Sequence, residues 1–410
     1  MNGRRLCPWE PPPDAPPDGE SRMSGNRGVL LLVTVLLIVV VPVILMALNP
    51  PAPWVWLLGL EGVLFILAAA ATRRSGRLVL VNIGMVLFVL LGFEVALMIY
   101  NAMQPKSDFT GTYTANYSNK DHPILGYAPY PNNVATSTRH IGDEWIYSVT
   151  YTIGPDALRI TPEATEDVRG SVLFFGGSFA FGEGVNDEES LPYRVGVLAK
   201  EKYAARNFAL HGYGAHQMLS GLQRGYVEER LTHPPKYVIY VGAPFHAERV
   251  VGVSWDKNGP RYVLDEGGKA VYAGRFSDRR GFVHGIKRWI HRHLKWSALG
   301  NAILARLAPK PSAYRDLYVA VVDEARQFVE SNFPGCEFHV IFWDNRVDPV
   351  GFVSELQSRG IRVHRITEII PDILENETPY RLHKLDGHPS PVALDRIARY
   401  VVETILTDSD

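Results

Sequence analysis

A serine, an aspartate and a histidine are the residues of this chain whose types and positions could do chemistry together. Ser178 stands in VLFFGGSFAFGEGV, where an apolar run stops at Gly176-Gly177 and a hydroxyl follows at once. Asp386 and His388 stand in LDGHPSP, close to the end of the chain. A serine becomes a nucleophile at neutral pH when an imidazole takes its proton, and a carboxylate must hold that imidazole's other nitrogen. Along an extended segment, residues 386 and 388 leave the same side of the backbone, which suits the second contact. The developing oxyanion then needs donors aimed at it. The backbone N–H groups of Ser178 and Gly212 are candidates, Gly212 because it has no side chain to block the approach, and His246 is a third. Alone, Gly-Gly-Ser after a strand reads as a tight turn and Asp-x-His as a surface loop. Their joint occurrence is what calls for chemistry.

Bringing residue 178 to residue 388 requires a particular scaffold. SVLFF, RNFAL, KYVIYVG, EFHVIFW and IRVHRI are short apolar runs, most of them separated by helix-like segments. That alternation predicts a parallel sheet covered on both faces. Such sheets bind ligands beyond the carboxyl ends of their strands, and Ser178, Gly212 and His246 follow the first, second and third runs. Ser190 with Pro192, and Ser390 with Pro391, read as helix starts. Leu394, Ile397, Ala398, Val401 and Ile405 form the stripe of a final helix. Residues 104–168 read as a small β-rich lead-in without a catalytic cluster, EWIYSVTYTIG forming one strand and DALRITP a second. Residues 250–312 interrupt the pattern with a hairpin turning at Glu266-Gly267-Gly268. An amphipathic helix over GIKRWIHRHLKWSALGNAILARL follows, read as solvated and lying across the domain in preference to a membrane surface.

FFGGSFAFGEGV, NFALHGYGAHQ and LDGHPSP, in that order, resemble blocks I, II and V of the SGNH/GDSL hydrolase superfamily, over roughly residues 165–408. The resemblance implies an α/β fold, a flavodoxin-like α/β/α sandwich on a five-stranded parallel sheet, that hydrolyses or transfers ester-linked acyl groups. It implies Ser178 as nucleophile, His388 as base, Asp386 orienting that base, and Gly212 as an oxyanion donor. The apolar lead-in and HPILGYAPYP look like membrane-anchored members found in bacterial envelopes. Two positions depart from the family. Gly177 stands where an aspartate is common, though that aspartate is not the catalytic acid. YVGAPFHAER lacks the asparagine whose amide completes the family's oxyanion hole, with Pro244 or Phe245 at the matching place and His246 the nearest replacement. Loss of one such donor costs roughly 3–4 kcal/mol. His211, His216 and His383 read as ordinary surface or core residues, and Glu183 is assigned no role.

The function so implied is a membrane-anchored serine esterase acting on acyl, above all acetyl, esters of an envelope or extracellular glycan. An O-acyltransferase using the same triad is the alternative, and a catalytically weak glycan-binding scaffold is the third. GGSFA also resembles the α/β-hydrolase elbow, but that fold separates its acid from its base, and here they are adjacent.

Composition narrows the classes further. Lys+Arg 42 against Asp+Glu 43 leaves a formal charge of -1 and no basic excess for nucleic acid. Two distant cysteines, Cys7 and Cys336, build neither a disulfide framework nor a zinc cluster. Cys336 reads as a small core residue. No phosphate loop or HExxH helix occurs, so no cofactor or metal is expected. Residues 1–27 read as a disordered proline-rich tail, with Met1 and Met23 equal as starts. Apolar stretches at about 28–48, 54–72 and 78–100 each approach the ~20 residues that cross a bilayer. Arg22 and Arg27, then Arg73, Arg74 and Arg77, put the N-terminus and second loop in the cytoplasm. The expectation is a multi-pass protein of the bacterial inner membrane with three transmembrane helices and an extracytoplasmic C-terminal domain. Its partners would be an acylated substrate, the lipid bilayer and a membrane protein held through the helices. Glu61 reads as protonated or bonded to a neighbouring helix, Glu94 as reaching the outer headgroups, and contact with a membrane partner is the rival for both.

Overall fold

The computed structural model describes residues 32–34, 36–40, 54–72, 74–104, 107–110, 117–253, 255–278, 293–307, 311–344 and 351–407. The chain divides into two units, Met1–Gln104 with Gly281–Ala308, and Pro105–Arg280 with Pro309–Asp410.

The second unit begins with the lead-in strands β1 (Ser107–Thr110), β2 (Ser118–His122), β3 (Gly126–Pro129), β4 (Asn133–Ile141) and β5 (Glu144–Ile153). β1, β4 and β5 form an antiparallel sheet in that order, and β2 pairs with β3. β5 is EWIYSVTYTI, as expected, and its period-two pattern buries Tyr147, Val149, Tyr151 and Ile153. DALRITP does not form the second strand. Arg159 makes single bridges to Ile153 and Asn207, and its buried guanidinium takes the acceptors of another loop instead.

β6 (Gly170–Gly176), β7 (Tyr203–Asn207) and β8 (Pro235–Gly242) follow. β9 (Pro260–Leu264) and β10 (Ala270–Arg275) make the hairpin expected at Glu266-Gly267-Gly268. β11 (Glu337–Phe342) and β12 (Arg362–Arg365) complete a five-stranded sheet in the order β12-β11-β8-β6-β7, parallel throughout. Read from β7 in chain order, this is second, first, third, fourth, fifth: the flavodoxin-like arrangement. Every residue of β6 is buried, which is why its sequence runs apolar without alternation. The step from β6 to β7 runs opposite to the step from β7 to β8. Right-handed crossovers therefore set the Leu191–Ala199 helix on one face and the Ala215–Gln223 helix on the other. The Pro391–Tyr400 helix packs on the first, and the Arg315–Asn332 helix on the second.

Ser390 caps its helix by accepting from Ala393 N–H, and the final stripe from Leu394 to Ile405 is buried. Ser190 occupies the cap position of its helix, with Pro192 in the first turn, but its hydroxyl donates back to Asp187 O at 2.8 Å. Cys336 is buried beside β11. A last antiparallel pair, β13 (Arg381–His383) and β14 (Asp386–Pro389), carries the chain toward the final helix.

In the first unit the Trp54–Ala71 helix packs on the Arg74–Met103 helix. Where three spans were expected, one helix among the described residues is long and apolar enough to cross a bilayer, Gly76–Met103. The apolar Trp54–Ala70 stretch is shorter; at 1.5 Å per residue it rises roughly 25 Å, against about 30 Å of hydrocarbon. The tail and most of the first expected span lie outside the described residues. So do Lys287, Arg288, Trp289 and Arg292 of the basic helix.

Residues 293–307 belong to this unit. Trp54 Nε1 donates to His293 O at 2.8 Å. Glu94 does not reach for headgroups. It is buried and accepts from Ser297 Oγ at 2.7 Å, Ala298 N at 2.7 Å and Leu299 N at 2.9 Å. The carboxylate thus caps the Ala298–Leu307 helix, taking donors its first turn leaves unused. Glu61 is buried, and its Oε1 makes no hydrogen bond among the described residues.

Candidate active site

β6 ends at Gly176, and Ser178 opens a short helix, Ser178–Phe181, directly beyond it. This is where the strand order of the sheet reverses, the position at which such folds bind ligands. β14 brings in the other partners. Ser178 Oγ donates to His388 Nε2 at 2.9 Å, and His388 Nδ1 donates to Asp386 Oδ1 at 2.6 Å. The backbone N–H of His388 also donates to Asp386 Oδ1, at 3.0 Å. Residues 178, 386 and 388, drawn from the two ends of the domain, therefore form one line. The His388 ring sits edge-on to Phe179, which packs in turn on Phe245 and Trp343.

Neither Ser178 N–H nor Gly212 N–H donates a hydrogen bond among the described residues, so neither is committed to another acceptor. Gly212 has φ +75, and a Cβ there would come within 2.6 Å of Trp255 Nε1 and 2.8 Å of Tyr127 Oη. His246 follows the third strand as expected, but its ring turns to the core. Its Nδ1 is 2.7 Å from Tyr240 Oη, and no hydrogen bond joins it to the Ser178–His388–Asp386 line. Its Nε2 lies against Gly177, where a Cβ would be 3.1 Å away. The same Cβ would overlap Arg249 Nη1, which donates to Tyr213 O at 2.6 Å. Burial, then the charges of Arg249 and His216, hold His246 well below the ordinary imidazole range, so it is neutral. Arg249, at the end of YVGAPFHAER, is thus a cation packed behind the loop of Ser178.

Four residues that sequence reasoning passed over stand in the site. Arg139 on β4 donates to Asp386 Oδ2 at 2.5 Å, so the lead-in holds the acid from behind. Tyr127 on β3 donates to His211 O at 2.6 Å, and Tyr213 Oη donates to Tyr127 O, fixing the loop of Gly212. Glu183 and His211 form a pair, with His211 Nδ1 donating to Glu183 Oε2 at 2.6 Å. The same Oε2 is 3.5 Å from His388 Nε2. A signal for Glu183 was present in Gly182-Glu183-Gly184, a charged residue set between two glycines just past the nucleophile. Nothing local marks Arg139 or Tyr127, whose roles depend on long-range pairing.

The other two histidines have partners elsewhere. His216 is buried with Nε2 2.8 Å from Asp256 Oδ2. His383 Nε2 lies 2.9 Å from Glu144 Oε2.

These contacts set the charge states. Burial alone would lower the His388 imidazole, but Glu183 and then Asp386 more than offset it, and the net direction is upward, with Arg139 opposing. Asp386 is pushed up by burial and further down by its bonds to His388 and by Arg139, so it stays ionised at neutral pH. Burial works against the charge on Glu183 as well, yet His211 and His388 bring it down to about 2. Burial keeps His211 below its ordinary value and hence neutral. A cleft of about 810 Å³ opens beside these groups, walled by Phe109, Tyr117, Tyr127 and Trp255, with Glu183 and His388 at its side.

Comparison with known proteins gives no matching family model and no matching curated protein. Among solved structures, the chain is similar to a protein assigned to the lipolytic G-D-S-L family from Desulfitobacterium hafniense DCB-2. That match has 14% identity and a TM-score of 0.31, over 57% of this chain and 99% of that one. It is also similar to an acetyl-xylooligosaccharide esterase from Geobacillus, with 12% identity and a TM-score of 0.33 over 61% and 98%. A third is a carbohydrate esterase family 2 enzyme from Myceliophthora fergusii, with 11% identity and a TM-score of 0.30 over 74% and 92%. The functional reading rests on the side chains of the cleft itself.

Proposed function

We propose that this chain is a serine esterase of the SGNH type, with Ser178 as nucleophile, His388 as general base and acid, and Asp386 as the group that orients and charges the imidazole. The observation that carries the reading is the unbroken hydrogen-bonded line from Ser178 Oγ through both nitrogens of His388 to Asp386, with His388 and Gly212 lining a cleft. Ser178 Oγ attacks the acyl carbon while His388 Nε2 takes its proton. The oxyanion receives the N–H groups of Ser178 and Gly212. Collapse expels the alcohol, which takes the proton from His388 and leaves an acyl-enzyme. Water then gives a proton to Nε2 and attacks the acyl carbon; the proton returns to Ser178 Oγ as the acid departs. Asp386 stays ionised throughout, holding Nδ1–H.

The substrate we infer is an acyl ester, acetyl above all, of a glycan. The aromatic walls suit flat sugar faces, and the cleft volume is ample for more than the acyl group. That spare volume also favours a second reading, acyl transfer, in which an acceptor hydroxyl replaces water in the second half-reaction. The Gly76–Met103 helix supports membrane anchoring. The arginines before it favour an outward-facing α/β unit, in a bacterial envelope by the resemblance. The test is labelling with a fluorophosphonate, then peptide mapping, alongside hydrolysis of p-nitrophenyl acetate. Label on Ser178 with turnover supports the reading. A wild-type chain that neither labels nor turns over removes it.

A further inference from the structure

Glu183 stands outside the serine–histidine–aspartate line yet shares its key atom. Its Oε2 is 3.5 Å from His388 Nε2, the nitrogen that faces Ser178 Oγ. His211 occupies that oxygen from the far side, at 2.6 Å. The other oxygen, Oε1, takes no hydrogen bond among the described residues, and the side chain, 13% exposed, lines the cleft. The loop cannot swing it away. Buried Arg159 donates to the carbonyls of Phe181, Gly182 and Val185 at 2.7–2.8 Å and to Asp187 Oδ1 at 2.8 Å. Gly184 N–H donates to Tyr151 Oη at 2.9 Å.

A fixed carboxylate beside a centre that develops negative charge is unfavourable for acyl chemistry unless it meets a donor. The alcohol part of the ester supplies one. Its bridging oxygen takes a proton from His388 Nε2, so it must come within about 2.6–3.2 Å of that nitrogen. Glu183 flanks the same nitrogen. A hydroxyl on the carbon beside the one that bears the bridging oxygen is therefore within reach of the open Oε1.

We propose that Glu183 binds a hydroxyl neighbouring the esterified one, so that the site takes esters of vicinal polyols in preference to simple alkyl esters. This rests on the esterase reading and adds the feature of the alcohol that the site selects. The charged and titratable groups facing the pair are Asp386 and Arg139 beyond Nδ1, the neutral His211 beside Glu183 and Arg159 beneath its loop, with Tyr117, Tyr147 and Tyr151 around them. His388 lies above the ordinary imidazole range with Glu183 as the leading charge that raises it. Removing that charge lets it fall.

The experiment compares glycerol monoacetate with ethyl acetate, which share an acyl group and an alkoxide leaving atom but differ in neighbouring hydroxyls. The full chain is assayed in detergent as wild type, Glu183→Gln and Glu183→Asp. Wild type is expected to favour glycerol monoacetate in kcat/KM by about tenfold or more, the scale of one hydrogen bond to a charged group. Glu183→Gln is expected to erase most of that preference and to move the acid limb of the pH profile to lower pH, with Glu183→Asp restoring part of the preference. A wild type without preference, or a Glu183→Gln chain that slows on both esters alike with the preference intact, overturns the proposal. A wild type that labels on Ser178 yet shows no preference overturns this inference alone. One that neither labels nor hydrolyses overturns the esterase reading beneath it.

Discussion

His388 with Asp386 and His216 with Asp256 are the same two groups at nearly the same separation, 2.6 and 2.8 Å. They sit in one unit but in different surroundings. Both carboxylates are buried, and each has a further donor, Arg139 on Asp386 and Gln217 on Asp256. The difference lies on the far side of each ring. His388 is 19% exposed, lines the cleft and turns its second nitrogen to the Ser178 hydroxyl. His216 is wholly buried, and its Nδ1 meets no hydrogen-bond partner among the described residues. Its pair ties the Ala215–Gln223 helix to the loop that carries Trp255. On the proposed reading, the histidine–carboxylate pair whose free nitrogen reaches a hydroxyl is the base, and the other is a brace.

That contrast can be broken at several places. The largest effect is expected from Ser178→Ala, a fall of about 10⁴–10⁶ in kcat/KM together with loss of fluorophosphonate labelling. Asp386→Asn comes next, at about 10⁴, because the imidazole loses both its tautomer and its counter-charge. Arg139→Gln is expected to lose about tenfold, since Asp386 keeps its histidine but loses a charged donor. Arg139 holds the His388 value down, so its removal raises that value further and the base stays protonated to higher pH. The acid limb then moves upward, opposite to the shift expected for Glu183→Gln, and rate profiles from pH 5 to 9 read both. The smallest kinetic change belongs to the brace. Asp256→Asn is expected to alter kcat/KM by less than about tenfold while weakening the fold by about 2 kcal/mol. A thermal melt would record a drop on the order of 5 °C. If Asp256→Asn matched Asp386→Asn in the rate assay, the division between base and brace would be wrong.

The parts of this molecule that were legible in the sequence are those carried by local pattern. Five apolar runs with helices between them announce the parallel sheet, because a strand buried on both faces cannot alternate. Ser178 could be picked out because it stands where an apolar run breaks, and Asp386 with His388 because an Asp-x-His pair stands just before the final helix. Arg139 was not, since its neighbours TSTRHIG spell an exposed strand and only the fold brings them to residue 386. Arg159 misled for a related reason: a strand-like DALRITP hides an arginine whose acceptors are carbonyls more than twenty residues away. Hydropathy counted three spans, but length separates Gly76–Met103 from Trp54–Ala70. Glu94, an acid inside an apolar helix, found its donors in a segment some two hundred residues later.

Gly177 carries a last consequence. The space a side chain would need there is taken by the Arg249 guanidinium, with Tyr213 O and His246 Nε2 close behind. An aspartate at 177 would therefore have to displace the Arg249 guanidinium from its place in this backbone. The nucleophile loop accepts a side chain at 177 only when the arginine behind it gives way, and a shorter residue at 249 is what would make that room.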